Sequence, residues 1–317
     1  MSNTYFEVLR AGVNTTIQDI GRNHMYHLGI TISGAIDQRN YVLSNKLVNN
    51  SLNEAVIEFA YQGPLLKLKN GSINFCITGD VIFKIIKKDG SIEDGTCYES
   101  YTLEDEEQLD IISTKNTAYG YLSVSNGFKL QKIWNSYSIN TKANIGPNNG
   151  KKYSLQDKIL INNQDLALNK KNKINYNESS DNLIRIIKGT NFNYFSKKSQ
   201  DSFFNDEFSV TKDADRMGIR LTGPKLENIV NTNIKSEGLV RGVIQVPADG
   251  NPIIMLSDHG TIGGYPKIGV VISADLDQVG QFTPGSKIRF KEVSLAEAQN
   301  IFKAYTIDTN KYLNENN

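Results

Sequence analysis

Cysteine is scarce in this chain: Cys76 and Cys97 are the only two among 317 residues. Their spacing forms no CxxC pair, so the sequence encodes no disulfide framework and no thiolate metal site. In a reducing compartment both thiols serve as small buried hydrophobes. An excess of charge of either sign is missing too. Lys and Arg number 35 against 34 Asp and Glu, a net charge of +1, which removes the electrostatic case for nucleic acid or a membrane surface as partner. No uninterrupted apolar run is long enough to span a bilayer. The opening MSNTYFEVLRAGVNTT places polar and acidic residues where a signal peptide needs an apolar core. The expected setting is the cytoplasm, with small-molecule or protein partners.

Familiar catalytic signatures are absent as well. The chain has no G-x-S-x-G elbow and no H-E-x-x-H. Gly146-Pro147-Asn148-Asn149-Gly150-Lys151-Lys152 is similar to a phosphate loop, but it has one residue too few between its glycines and ends on Lys152 where Ser or Thr is needed. His24 and His27 are three apart among turn-like residues with no third ligand nearby, so an exposed or hydrogen-bonded pair is expected there and no metal site. No Met-Lys dipeptide of the biotin-attachment kind occurs, so no covalent biotin is expected on this chain.

What is present is a succession of short apolar runs separated by turn residues: Ile73–Thr78, 81–86 before Asp89-Gly90, 109–113, 118–124, 183–187, 269–274 and 288–293. That spacing predicts a mainly β protein. Helices are expected after Asp37, through Val48, and after Ser294, where Ser294-Leu295-Ala296-Glu297 forms a capping box ahead of an Ala298, Phe302 and Tyr305 stripe. Length favours two domains. The expected division is a first lobe over 1–165, a polar linker or excursion rich in Asn, Lys and Ser over 166–182, a second lobe over 183–308 and a frayed tail over 309–317.

The densest stretch is SEGLVRGVIQVPADGNPIIMLSDHGTIGGYPK, residues 236–267. If 240–246 is extended, Val240, Ile244 and Val246 point to one face and Arg241, Val243 and Gln245 to the other, a core-like face and a polar one. The Asp249-Gly250 turn reverses the chain, a second run spans 253–256, and Asp258 and His259 lead into Thr261 among Gly260, Gly263 and Gly264. Glycine lets backbone N–H groups approach a ligand. A tight solvent-facing turn, with glycines present only for positive φ, accounts for the same spacing.

This stretch resembles the carboxyltransferase-like family that includes the 5-oxoprolinase C subunit, the second subunit of allophanate hydrolase, the antagonist of the sporulation-kinase inhibitor, and the carboxyltransferase region of urea carboxylase. The resemblance extends to Gly12-Val13-Asn14-Thr15-Thr16-Ile17-Gln18-Asp19-Ile20-Gly21-Arg22, to Ser33-Gly34-Ala35-Ile36-Asp37 and to Asp215-Arg216-Met217-Gly218-Ile219-Arg220-Leu221. It continues through Ser273-Ala274-Asp275-Leu276, Gln281 and Pro284-Gly285, covering almost the whole chain in order. It implies two cyclophilin-like β-barrel lobes with a few short helices. It also implies a subunit of ATP-dependent 5-oxoprolinase, acting with a B-type subunit of related fold and an A-type subunit to open 5-oxoproline, a lactam, to glutamate. ATP with magnesium is expected in the complex. The chain departs from the family's pattern at Asn126-Gly127, Lys151-Lys152, Gly260 and Ile262. Two other functions therefore stand beside the first: carboxyl transfer to urea or a related amide from a biotinylated partner, and non-catalytic binding of a kinase inhibitor.

The residues that fit this chemistry are Asp258, Arg216 and Asp37 as catalytic groups. Ser33, Arg220, Gln245, Thr261, Gly263, Gly264, Tyr265 and Lys267 are the substrate-binding ones. Guanidinium forks suit carboxylate or phosphate, and Arg216 and Arg220 share a face if their segment is extended. Arg216 is expected to be partly exposed, and pairing with Asp213 or Asp215 is its other reading. Asp37 doubles as a helix cap. Gln18, Asp19 and Arg22 suit a buried polar network as well as a ligand. The Ser33–Asp37 and 258–264 bends are expected to border one cleft.

Overall fold

The computed structural model describes residues 3–162, 171–176, 181–230 and 233–314. They divide into two compact units. One comprises Met1–Arg22, Ser33–Glu178 and Asn310–Asn317, the other Asn23–Ile32 and Ser179–Thr309. The exchange of Asn23–Ile32 into the second unit leaves no mark in composition. Of the expected polar linker, residues 166–170 and 177–180 lie outside the described residues. Residues 171–176 belong to the first unit: Asn172 and Ile174 are buried, and Ile174 N donates to Tyr98 O at 3.0 Å.

The first unit holds β1 (Tyr5–Arg10), β2 (Thr16–Gln18), α1 (Gln38–Leu47), β3 (Val56–Ala60), β4 (Leu65–Lys69), β5 (Ile73–Thr78), β6 (Val81–Ile86), β7 (Ile92–Asp94), β8 (Ser100–Leu103), β9 (Gln108–Thr114), β10 (Tyr119–Val124) and β11 (Lys158–Leu160). They form a six-stranded sheet in the order β11-β1-β4-β9-β6-β7 and a five-stranded sheet in the order β2-β3-β10-β5-β8. Alternation decides which side chains turn inward. Phe6 and Val8 of β1, Leu66 and Leu68 of β4 and Leu109 and Ile111 of β9 join Ile57, Phe75, Ile77 and Leu122 from the other sheet in one core. Strands β3, β5 and β10 are buried along their whole length. α1 explains part of that, because it lies against β5 and β10 and packs Leu43 and Leu47 on Cys76.

The second unit holds β12 (Leu183–Lys188), α2 (Lys197–Asn205), β13 (Phe208–Val210), β14 (Gly218–Thr222), β15 (Glu237–Gly238), β16 (Val243–Gln245), β17 (Ile253–Met255), β18 (Ile262–Gly263), β19 (Lys267–Val271), α3 (Leu276–Gln281), β20 (Lys287–Glu292) and α4 (Leu295–Asn314) as far as Thr309, its residues from Asn310 on belonging to the first unit. Seven of these strands close into a barrel in the order β12-β19-β16-β17-β14-β13-β20, with β20 returning parallel to β12. The ribbon β15-β18 stands apart from it. The capping box forms: Glu297 N donates to Ser294 Oγ at 3.2 Å and Ser294 N to Glu297 Oε2 at 2.7 Å.

Three expectations change. The helix after Ser294 continues to Asn314, past the point where a frayed tail is expected. Its last turn is held by Tyr312 and Leu313 on the cluster around Leu43, Cys76 and Ile174, while residues 315–317 lie outside the described residues. The strand expected from Val240 begins only at Val243, because Gly242 adopts φ +89° and leaves Val240 exposed. Val243, Ile244 and Gln245 are then all buried, since a barrel strand is covered on both faces and has no solvent-facing polar side here. The mainly β expectation holds.

Candidate functional site

In the second unit the chain turns back at Arg216 and Met217, where Asp215 and Gly218 exchange backbone hydrogen bonds at 3.2 Å. The stretch after β17 runs beside this turn, with Leu256 N donating to Met217 O at 3.0 Å and Asp258 N to Arg216 O at 2.8 Å. That register puts the two side chains together. Arg216 Nε donates to Asp258 Oδ2 at 2.8 Å and Nη2 to Oδ1 at 3.2 Å. Both side chains are nearly dry, 7% and 1% exposed. A two-pronged, charge-assisted contact is the geometry that offsets the cost of burying both charges.

Two sequence expectations are corrected here. Arg216 is buried, not partly exposed, and it pairs with Asp258, 42 residues on. Asp215 accepts from the amide of Met217 at 2.8 Å, which shapes the turn. Arg216 and Arg220 do not share a strand face, because the segment is not extended between them. Arg220 lies opposite Ile253 in the β14–β17 pair, exposed, where its charge helps lower the carboxyl of Asp249.

The glycine-rich segment is not a positive-φ turn. None of Gly260, Gly263 and Gly264 is among the glycines with positive φ. Gly263 pairs with Glu237 in the β15–β18 ribbon, and a Cβ there would stand 2.7 Å from Gln245 Nε2 and 2.8 Å from Leu239 Cδ1. Its glycine makes room for Gln245, whose Nε2 donates to Tyr265 O at 3.1 Å. A Cβ on Gly264 would meet Ile234 O at 3.1 Å. Thr261 is half-buried and uses its carbonyl to accept from Leu239 N at 2.9 Å, while Tyr265 is 40% exposed. Lys267 opens β19 buried, and its ammonium is paired with the carboxylate of Glu237.

His259 and Tyr26 complete this locus, and the sequence alone assigns neither a role. His259 Nδ1 lies 2.6 Å from Gly260 O, which only accepts, so Nδ1 carries the proton. Nε2 is then the acceptor for Tyr26 OH at 3.2 Å. Burial, with Arg241 adding to it, lowers the imidazole's pKa against the opposing pull of Gly260 O and Asp258, and burial raises that of the Tyr26 phenol. The signals that could find them are the adjacency of His259 to Asp258 and the placement of Tyr26 between His24 and His27, which are themselves exposed.

In the first unit, Ser33 and Asp37 are each hydrogen-bonded within the fold. Asp37 Oδ1 caps α1 by accepting from Asn40 N at 2.9 Å and Oδ2 accepts from Asn40 Nδ2 at 2.7 Å. Ser33 Oγ accepts from Asn140 Nδ2 at 3.1 Å. The buried Asp19 carboxylate accepts from Gly21 N at 2.8 Å, Tyr137 N at 2.7 Å, Ser136 Oγ at 2.7 Å and Ser138 Oγ at 2.5 Å. Arg22 donates to Ser138 O and Gln18 Nε2 to Ile139 O at 2.9 Å. The network reading of Gln18, Asp19 and Arg22 describes these contacts. The geometry likewise gives Asp37 the capping role expected of it.

The residues of this chain do not form a phosphate cradle at 146–152. Gly150 is closed onto the preceding turn, where a Cβ would stand 2.1 Å from Asn144 C, and Lys152 Nζ donates to Val13 O at 3.1 Å. Among the described residues no group of three or more His, Cys, Asp and Glu stands together to hold a metal ion, and no helix is long and apolar enough to cross a membrane.

The carboxyltransferase domain, subdomain A and B, matches residues 28–292. The chain is 34% identical over 292 residues to the 5-oxoprolinase C subunit of Haemophilus influenzae, covering 92% of each chain. It is 28% identical over 300 residues to the 5-oxoprolinase C subunit of Escherichia coli, again covering 92% of each. The fold is similar to that of the Kluyveromyces lactis urea amidolyase, with a TM-score of 0.88 at 24% identity, over 98% of this chain and 20% of that one.

Proposed function

As this chain belongs to the carboxyltransferase domain family, subdomain A and B, we propose that it is a cytoplasmic subunit of an ATP-dependent 5-oxoprolinase. It works with a B-type subunit of related fold and an A-type subunit to open 5-oxoproline to glutamate. The reading is supported by near full-length similarity to proteins named as that subunit. The observation that carries it is the buried Arg216–Asp258 fork, which fixes the start of the segment 258–267. An unstrained lactam is stabilised by amide resonance, and ATP supplies the driving force for opening it when bound in the complex. This chain's own residues hold the lactam. Gln245, Thr261, Gly263, Gly264, Tyr265 and Lys267 are assigned to substrate, with Arg216 and Asp258 as positioning residues because each occupies the other's hydrogen-bonding edge.

The test is reconstitution. The full chain is mixed with its two partner subunits and assayed for ATP hydrolysis that depends on 5-oxoproline and yields glutamate. Turnover requiring all three components is expected, and none with an authenticated partner set overturns the reading. The same chain supplied with urea, bicarbonate and a biotinylated carrier tests carboxyl transfer. Partner binding that survives loss of the Arg216–Asp258 pair, without turnover, marks a binding module.

A further inference from the structure

We propose that Glu237 is a resident stand-in for a ligand carboxylate, occupying the ammonium of Lys267 until a small carboxylate-bearing substrate replaces it. This rests on the functional reading above and names the recognition it leaves open.

The two ion pairs of this locus differ in kind. Arg216 and Asp258 are both dry and joined by two hydrogen bonds, a permanent arrangement. Lys267 is 8% exposed at its side chain, but the carboxylate that neutralises it belongs to a side chain 46% exposed. Returning that half-wet carboxylate to water costs little, whereas leaving the buried ammonium unpaired costs far more. An arriving oxyanion therefore exchanges with Glu237 rather than merely adding to the site.

The backbone carrying Glu237 is suited to such an exchange. It stands on β15, two residues long, paired with β18 outside the barrel sheet and flanked by the hydrogen bonds of Ile234 N to Gly264 O and Leu239 N to Thr261 O, each at 2.9 Å. A Cβ on Gly238 would find nothing within 4 Å, and one on Gly260 only Ile262 O at 3.5 Å. The β18 side of the ribbon is packed on Gln245 and Leu239, so the open edge that can yield is the β15 side at Gly238. The same ribbon contains Gly263, whose close approach orders Gln245 and through it Tyr265 O. Displacing Glu237 thus acts on the segment assigned to substrate. 5-Oxoproline carries one carboxylate beside its lactam, so the acid is recognised by Lys267 and a neutral lactam is not.

Titration calorimetry on the full chain, wild type and Glu237→Gln, tests this with 5-oxoproline, with the neutral lactam 2-pyrrolidinone and with inorganic phosphate. Removing the competing charge is expected to tighten 5-oxoproline binding about tenfold and to leave 2-pyrrolidinone unchanged. Lys267→Gln is expected to abolish the preference for the acid. A single cooperative thermal unfolding transition confirms that Glu237→Gln is folded, at a midpoint lowered by the loss of the Lys267 pair. A gain for phosphate with none for 5-oxoproline reassigns the oxyanion to a phosphate and overturns the carboxylate assignment. Unchanged or weaker binding of the acid in Glu237→Gln, or no preference for it over the neutral lactam in either protein, overturns the proposal outright. The readout is binding by this chain, so it fails separately from reconstituted turnover.

Discussion

Asp19 in the first unit and Asp258 in the second are both buried carboxylates, 3% and 5% exposed, yet they are satisfied in opposite ways. Asp19 accepts from two backbone amides and two serine hydroxyls drawn from turns at 21 and 136–138. Asp258 is held by the fork of Arg216 across 42 residues. The first arrangement spreads its donors over the fold and closes the site to anything else. The second concentrates them in one cation and pins the start of the segment from 258 to 267. The difference teaches where to look for function: burial and charge are equal in the two places, and the distribution of donors separates a structural carboxylate from one that positions a site.

The sharpest way to break this comparison is Arg216→Ala, which leaves Asp258 buried and uncompensated. A loss of about 3–5 kcal/mol is expected, measured by denaturant unfolding. Replacing the pair together, Arg216→Met with Asp258→Leu, is expected to recover most of that stability while reconstituted turnover stays lost. Recovery of both would make the pair packing alone.

Next in size is a pair of glycines. A Cβ on Gly34 would lie 2.9 Å from Ile20 C and O, at φ +80°, so Gly34→Ala is expected to cost about 2–3 kcal/mol through strain and a backbone clash. On Gly263 the clash is with the flexible end of Gln245, so Gly263→Ala is expected to cost about 1 kcal/mol of stability but to weaken substrate binding more than Gly34→Ala does. Thermal unfolding and calorimetry on both variants decide it. Asp37→Ala follows, with about 1 kcal/mol expected from loss of the α1 cap and no change in KM. A rise in KM would return Asp37 to the site.

Much of the fold is legible in the sequence. Period-two runs such as Ile73–Thr78 and the Ser294–Glu297 box state a local preference that burial then satisfies. The candidate site is legible as a set of residues but not as pairings. Arg216 meets Asp258 because β14 and β17 are adjacent in register, and sequence distance carries no trace of that register. Gly263 reads in the sequence as access for backbone amides or as a positive-φ turn residue, whereas a Cβ there meets the space taken by Gln245. Tyr26 and Glu237 escape such a reading because their partners, His259 and Lys267, arrive through tertiary contact.

The smallest expected effect separates the two units by pH. All three histidines of the chain, His24, His27 and His259, fall in the second unit, and only His259 is buried. Its imidazole is neutral, with Nδ1 donating to Gly260 O and Nε2 accepting from Tyr26, and burial holds its pKa below the ordinary 6.5. The sign follows from proton binding. Below 6.5 the unfolded chain takes up a proton that the folded one refuses until the lower value is passed, so this contribution is complete above that range and is lost as pH falls. Amides of the second unit are therefore expected to lose exchange protection, taken relative to the intrinsic rate at each pH, between about pH 7 and about pH 5 before those of the first. His259→Gln is expected to flatten that slope while leaving exchange in the first unit untouched. An unchanged slope in the variant, or equal losses in both units, assigns the acid sensitivity to carboxylates spread over the whole chain and leaves His259 as a packed hydrogen-bonding residue.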